Sequence, residues 1–184
     1  VLHTLSRDYG RRSFLIRVGK KTGMALFLPL NILEVEVTEN PKSDLWFAGR
    51  IVSVLPLNGI RNNLYKNTMT LFMSEVLYRT VKDGSREEGL YEWCRGSIVT
   101  LDALESDFSN FHIRFLLELA VDLGFRPEAG DIAPFAGGNI EVLDKFLKAS
   151  LSESMLLPLT GETRNAIADS LIRYIEFHTE STIN

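Results

Sequence analysis

The sequence predicts an α+β fold in which a strand-rich first third precedes a bundle of helices. Three observations predict it. Apolar residues recur with a period of two as far as Pro56. Beyond Pro56 the period lengthens toward that of a helix. The composition, 45% apolar and 24% charged over 184 residues, suits a chain that can bury a core.

The strands come in order. In "RRSFLIRV", Phe14, Ile16 and Val18 fall on one side and Leu15 and Arg17 on the other. "NILEVEVTE" sets Ile32, Glu34 and Glu36 against Leu33, Val35 and Val37. "LWFAGRIVSVLPL" is rich in β-branched and aromatic residues and ends at Pro56, and "NPKSD" before it has turn chemistry. Strands in succession without helices between them predict a small antiparallel barrel or sandwich.

The helices follow. "NGIRNNLYKNTMTLFMSEVLYRTVKDG" reads as one helix closed by Asp83-Gly84, and "LYEWCRGSIVTLDAL" as a second. In "SNFHIRFLLELAVDLGFRP", residues 109–127, apolar side chains cover nearly the whole circumference. Only Arg114, Glu118 and Asp122 make a polar stripe, which predicts the central helix of a bundle. Ser109 is expected to cap its start, Gly124 to end it and Pro127 to prevent its restart. "NIEVLDKFLKAS", with Asn139 as cap, and "GETRNAIADSLIRYIEFH", after Pro158, complete about five helices. The domains are expected at 1–57 and 58–184.

Charge is unevenly spread. Residues 1–67 carry ten Lys/Arg against five Asp/Glu, and the remainder ten against nineteen. The basic first part suggests an anionic partner. No apolar run approaches a membrane span, and the first residues do not have the pattern of a secretory signal. A single cysteine, Cys94, excludes an internal disulfide and suggests a reducing compartment, the cytoplasm.

Catalytic patterns are absent from the sequence. His3, His112 and His178 have no metal-ligand spacing, and Cys94, beside Trp93, reads as a buried thiol. "VGKKTG" fails as a phosphate-binding loop because Lys21 follows Gly19-Lys20 and Ser13 stands where the first glycine belongs. It reads as a basic loop between strands. What remains is a β-domain with clustered cations and five aromatics, Tyr9, Phe14, Phe27, Trp46 and Phe47. Oligonucleotide-binding (OB) barrels use this combination: cations neutralise phosphates, and aromatic planes stack on unpaired bases. Which aromatics fill the core and which stack is left open. Arg11, Arg12, Arg17, Lys20 and Lys21 are the expected phosphate contacts. Arg50 is a further one that could equally pair with a strand glutamate. No catalytic residue, metal ligand or cofactor is expected. A rival reading makes the chain an RNA-binding or scaffold protein with the same barrel and a helical partner surface.

"YGRRSFLIRVGKK", "LFLPLNILEVEV", "LFMSEVLYRTV" and "NFHIRFLLELAVDLGFRP" occur in this order, and together they resemble the RecO family of recombination mediators. The last segment is the most specific. The resemblance implies an N-terminal OB barrel joined to a helical domain. It implies binding of single- and double-stranded DNA, annealing of complementary strands, and work with RecR and the single-stranded-DNA-binding protein to load RecA. It also implies a groove in the helical domain for that protein's acidic C-terminal tail, where Arg114 could supply the cation or instead pair with Glu118 or Asp122. Many relatives carry four cysteines that hold zinc; with Cys94 alone this sequence is similar to the zinc-free branch. Relatives also have a strand between segments resembling "VLHTL" and "YGRRSFL". Here Leu5-Ser6 runs straight into Arg7-Asp8-Tyr9, and "GKKTGMALF" and "FAGGN" are abbreviated. The chain therefore reads as segments joined near Ser6–Arg7, Lys21–Thr22 and residues 136–138.

Overall fold

The computed structural model describes residues 1–19 and 23–183. Four strands come first: β1 (Leu2–Ser6), β2 (Gly10–Ile16), β3 (Leu33–Thr38) and β4 (Trp46–Ser53). They form one sheet in the order β1-β2-β4-β3. The β1–β2 and β3–β4 pairs are antiparallel and the central β2–β4 pair is parallel. This is the expected α+β class. The sheet has four strands among the described residues, where a complete OB barrel has five. At Ser6–Arg7 the backbone enters a tight hairpin that pairs Ser6 with Gly10. The Lys21–Thr22 junction lies outside the described residues.

Strand alternation divides the sheet into two faces. Phe14 and Ala48 are almost fully buried on one. On the other, Leu15 faces Phe47 across the parallel register, and Leu15 is half exposed. The β3–β4 register shifts between Val35, opposite Ile51, and Val37, opposite Ala48. Gly49 and Arg50 thus share the place opposite Glu36, a bulge that re-aims Arg50.

The chain forms two compact units, Val1–Ser74 with Val81–Asp102, and Glu75–Thr80 with Ala103–Asn184. The change from strand to helix falls at residues 57–58, where α1 (Asn58–Arg61) begins. The first unit thus contains α1, most of α2 (Leu64–Thr80) and nearly all of α3 (Leu90–Ala103) besides the sheet. The single helix expected from Asn58 onward is broken at residues 62–63. Asn63 causes the break: its side-chain oxygen accepts from the Lys66 backbone N–H at 3.2 Å, so it caps α2. Cys94 is buried in α3, as its apolar neighbours suggest.

The second unit is built around α4 (Phe111–Asp122), which packs on α7 (Leu151–Leu156) and α8 (Gly161–Thr179). Phe111, Ile113, Phe115, Leu116, Leu117, Leu119 and Ala120 are all buried, so α4 is the central helix expected. Its cap differs from expectation. Asn110, not Ser109, occupies the cap position, and it makes no side-chain cap bond. Its amide instead donates to the Ser154 and Leu157 carbonyls and accepts from Arg164. Tertiary bonds to three residues of two other segments outcompete the local cap. Gly124 ends the helix as expected, at φ +88°, with Phe125 N–H bonding Ala120 O and Gly124 N–H bonding Val121 O. Short α5 (Ala129–Ile132), α6 (Ile140–Lys148) and α7 complete the unit. Asn139 stands at the cap of α6 without a side-chain cap bond. The sequence reading passed over α7, although Ser150 and Glu153 form a capping box readable as S-x-x-E.

Candidate nucleic-acid interface

The basic residues of the first unit take distinct places. Arg11 and Arg12 are neighbours on β2, so alternation sends them to opposite faces. Arg11 is turned inward. Its guanidinium donates to the Val81 carbonyl, stands 3.5 Å from Asp83, and its side chain is only 16% exposed. The backbone supports this docking: Arg11 N–H bonds Ser85 O, and Gly84 N–H bonds Arg11 O. Gly10, at φ +62°, makes the approach possible, because a Cβ there would meet Ser85 O at 1.9 Å. Arg11 thus fastens β2 to the 81–85 segment, and its cation is spent within the protein.

Arg12 shares its face with Phe14. Its guanidinium lies over the Trp46 ring, 3.5 Å from the centroid, and donates to the Asp44 carbonyl at 3.2 Å. Tyr9 meets the same indole edge-on, with centroids 5.3 Å apart. Of the five aromatics, Phe14 is core, whereas Tyr9, Phe27, Trp46 and Phe47 are half-buried. Register and burial answer the part of that question that concerns the core: Phe14 faces inward opposite Trp46, which lies at the margin of the core. No signal short of knowing that register picks out Trp46.

The opposite face carries the exposed cations. Arg17, one residue past β2, reaches over Phe47 at 5.6 Å. Arg50 projects from the bulge with its side chain 74% exposed, 3.7 Å from Glu36. An ion pair so exposed contributes little and yields readily to a competing anion. Leu15 and Val52 are also exposed on this face, to either side of the cations along the strands. Glu34 and Glu36 stand on edge strand β3, so positive charge follows β2 and β4 and gives way to negative charge at that edge. Lys20 and Lys21 lie outside the described residues. The structure therefore brings Arg17 and Arg50 to one face, places Arg12 on the other, and withdraws Arg11.

In the second unit Arg114 takes the internal alternative. It donates to Glu118 at 2.6 Å and to the Ala149 carbonyl at 2.9 Å. Burial beside Glu118 raises the Asp122 carboxyl above its usual range. His112 is pushed down to about 4, first by burial and then by the positive charge of Arg164. It is neutral near pH 7 and reads as a packed histidine. Among the described residues no group of three or more His, Cys, Asp or Glu is placed to hold a metal ion.

With this geometry in place, similarity to known proteins identifies the lineage. The family model for the C terminal of recombination protein O (RecO) matches residues 61–131. The "DNA repair protein RecO" of Phocaeicola vulgatus is 32% identical over 147 residues, which cover 71% of this chain and 61% of that protein. That of Bacteroides fragilis is 33% identical over 139 residues, 73% of this chain and 57% of that protein. The chain is similar to RecO proteins over most of its length. The RecO protein of Porphyromonas gingivalis is 27% identical over 208 positions, covering 97% of this chain and 84% of that protein. That alignment is longer than the 184 residues of the chain, so at least 24 of its positions have no counterpart here. Against the first two RecO proteins, the match spans about three fifths of their length. The family-model match falls on helices α2 to α5 and leaves the cation-bearing strands outside it.

Proposed function

We propose that the chain is a DNA-repair and recombination mediator that binds single- and double-stranded DNA through the β2–β4 face bearing Arg17 and Arg50. The single observation that carries this reading is that face, where the exposed Arg17 guanidinium reaches over Phe47 and the exposed Arg50 is held only by a weak pair with Glu36. Such a surface neutralises phosphates while offering apolar area to bases, and makes or breaks no bond. The RecO proteins similar to this chain are named for DNA repair, which favours DNA as the ligand. Lys20 and Lys21, which follow Gly19 in the sequence, are proposed as further phosphate contacts.

In this reading the protein anneals complementary strands and, with RecR, helps load RecA onto DNA coated by the single-stranded-DNA-binding protein. The helical unit receives that protein's C-terminal tail, and Arg114 contributes only after releasing Glu118. The site of action is the cytoplasm, at the nucleoid. No helix among the described residues is long and apolar enough to cross a membrane. The test is annealing of complementary DNA strands coated with the single-stranded-DNA-binding protein. Acceleration by the chain is expected. Binding of RNA in preference to DNA, with no annealing, contradicts the reading and favours an RNA-binding or scaffold protein.

A further inference from the structure

Arg12, Trp46 and Tyr9 form a cluster that the phosphate track leaves unused. The indole has one face covered by a guanidinium at 3.5 Å and meets the Tyr9 ring at an interplanar angle of 86°. Arg12 Nη2 is held by the Asp44 carbonyl, which fixes the plane of the guanidinium. Arg12 Nε is buried and has no hydrogen-bond partner among the described residues. Being buried, that N–H is closed to a ligand, and the planar face of the guanidinium is what a ligand can use. All three side chains are only half-buried, so a planar group can reach the outer face of the stack.

We infer that the Arg12–Trp46–Tyr9 cluster is the docking position for one unpaired nucleobase, resting on the proposal that the sheet binds nucleic acid. The base extends the stack on the guanidinium plane. Three properties favour a base over a phosphate. The cation is already balanced by an aromatic face and a backbone carbonyl. The cluster is planar. It also lies on the opposite side of β2 from Arg17 and Arg50. Duplex DNA holds its bases stacked and paired, so it cannot fill this position without unpairing. The cluster therefore favours single strands, while Arg17 and Arg50 serve both forms.

The test uses the full chain with Trp93→Phe, which leaves Trp46 as its single indole. A short oligothymidylate is expected to change Trp46 fluorescence, and a duplex of equal length is not. In the natural background, Trp46→Ala should weaken single-strand binding by roughly five- to a hundredfold. It should leave duplex affinity and the salt slope of both unchanged, because stacking releases no counterion. Trp46→Phe, which keeps an aromatic plane, should retain most of the affinity and serves if the alanine variant does not fold. Equal loss on single strands and duplex, or no loss on either, overturns the assignment and leaves the phosphate track standing. If the unaltered chain binds neither form, the proposed function itself fails.

Discussion

The segment that marks the family and the segment that carries the candidate interface are different pieces of the chain. Residues 61–131 match the family model, and within them α4 buries seven side chains and ties its arginine to Glu118 and Ala149. Residues 12–50 lie outside that match, and there Arg17 and Arg50 face solvent beside half-buried aromatics. Close packing restricts what a position tolerates, so a core helix keeps a recognisable pattern. A phosphate contact asks only for a cation near the right place, which many sequences supply.

Damage to each region should therefore show in a different measurement. Phe115→Ala should have the largest effect, destabilising the second unit by about 3–5 kcal/mol because the ring is almost wholly buried. Chemical denaturation measures the loss. DNA affinity per folded molecule should not change, and a change would break the separation between the two regions. Next comes His112. Its folded value, about 4, lies below the unfolded value near 6.5, so the unfolded chain takes up the proton first. Its contribution is present above pH 6.5 and is lost as the pH falls toward 4, by roughly 2–3 kcal/mol. His112→Gln should remove that part of the slope in unfolding measured from pH 7 to pH 4, again without altering DNA affinity near neutral pH.

Smaller effects sharpen the comparison within the sheet. Arg11→Ala should cost about 1–2 kcal/mol of stability, since it strips the Val81 carbonyl and Asp83 of a charged partner. Arg17→Ala should stay within about 0.5 kcal/mol of the parent, as exposed substitutions do. Parallel melting curves of the two variants check this. Equal losses would mean that Arg11 and Arg17 do not differ as their surroundings indicate.

Much of the fold was legible because its signals are local. Alternation gave β2 and β3, β-branched and aromatic content gave β4, and the near-circumferential apolar surface of residues 111–120 gave the central helix, whereas β1 was not foreseen. Gly124 behaves as its position after the last turn predicts. The Ser109 cap failed because Asn110 bonds two distant carbonyls and Arg164, partners no local window contains. The break at Asn63 was readable as an N-cap but was masked by helical spacing on both sides. In the candidate interface, sequence grouped Arg11, Arg12, Arg17 and Arg50 by charge alone. Their separation into a fastening residue, an aromatic-stacked residue and two exposed ones depends on register, on the bulge opposite Glu36 and on the approach of Ser85. Those are long-range facts.

The central claim is that Arg17 and Arg50, together with Lys20 and Lys21, meet phosphates. Its most direct test is the salt dependence of single-strand binding, compared between the parent chain and a variant with all four residues replaced by alanine. Each lost phosphate contact should reduce the slope of log affinity against log salt by about 0.7. The account predicts weaker binding and a slope shallower by roughly 2–3 in the variant. An unchanged slope with unchanged affinity would place the DNA elsewhere on the molecule and contradict it.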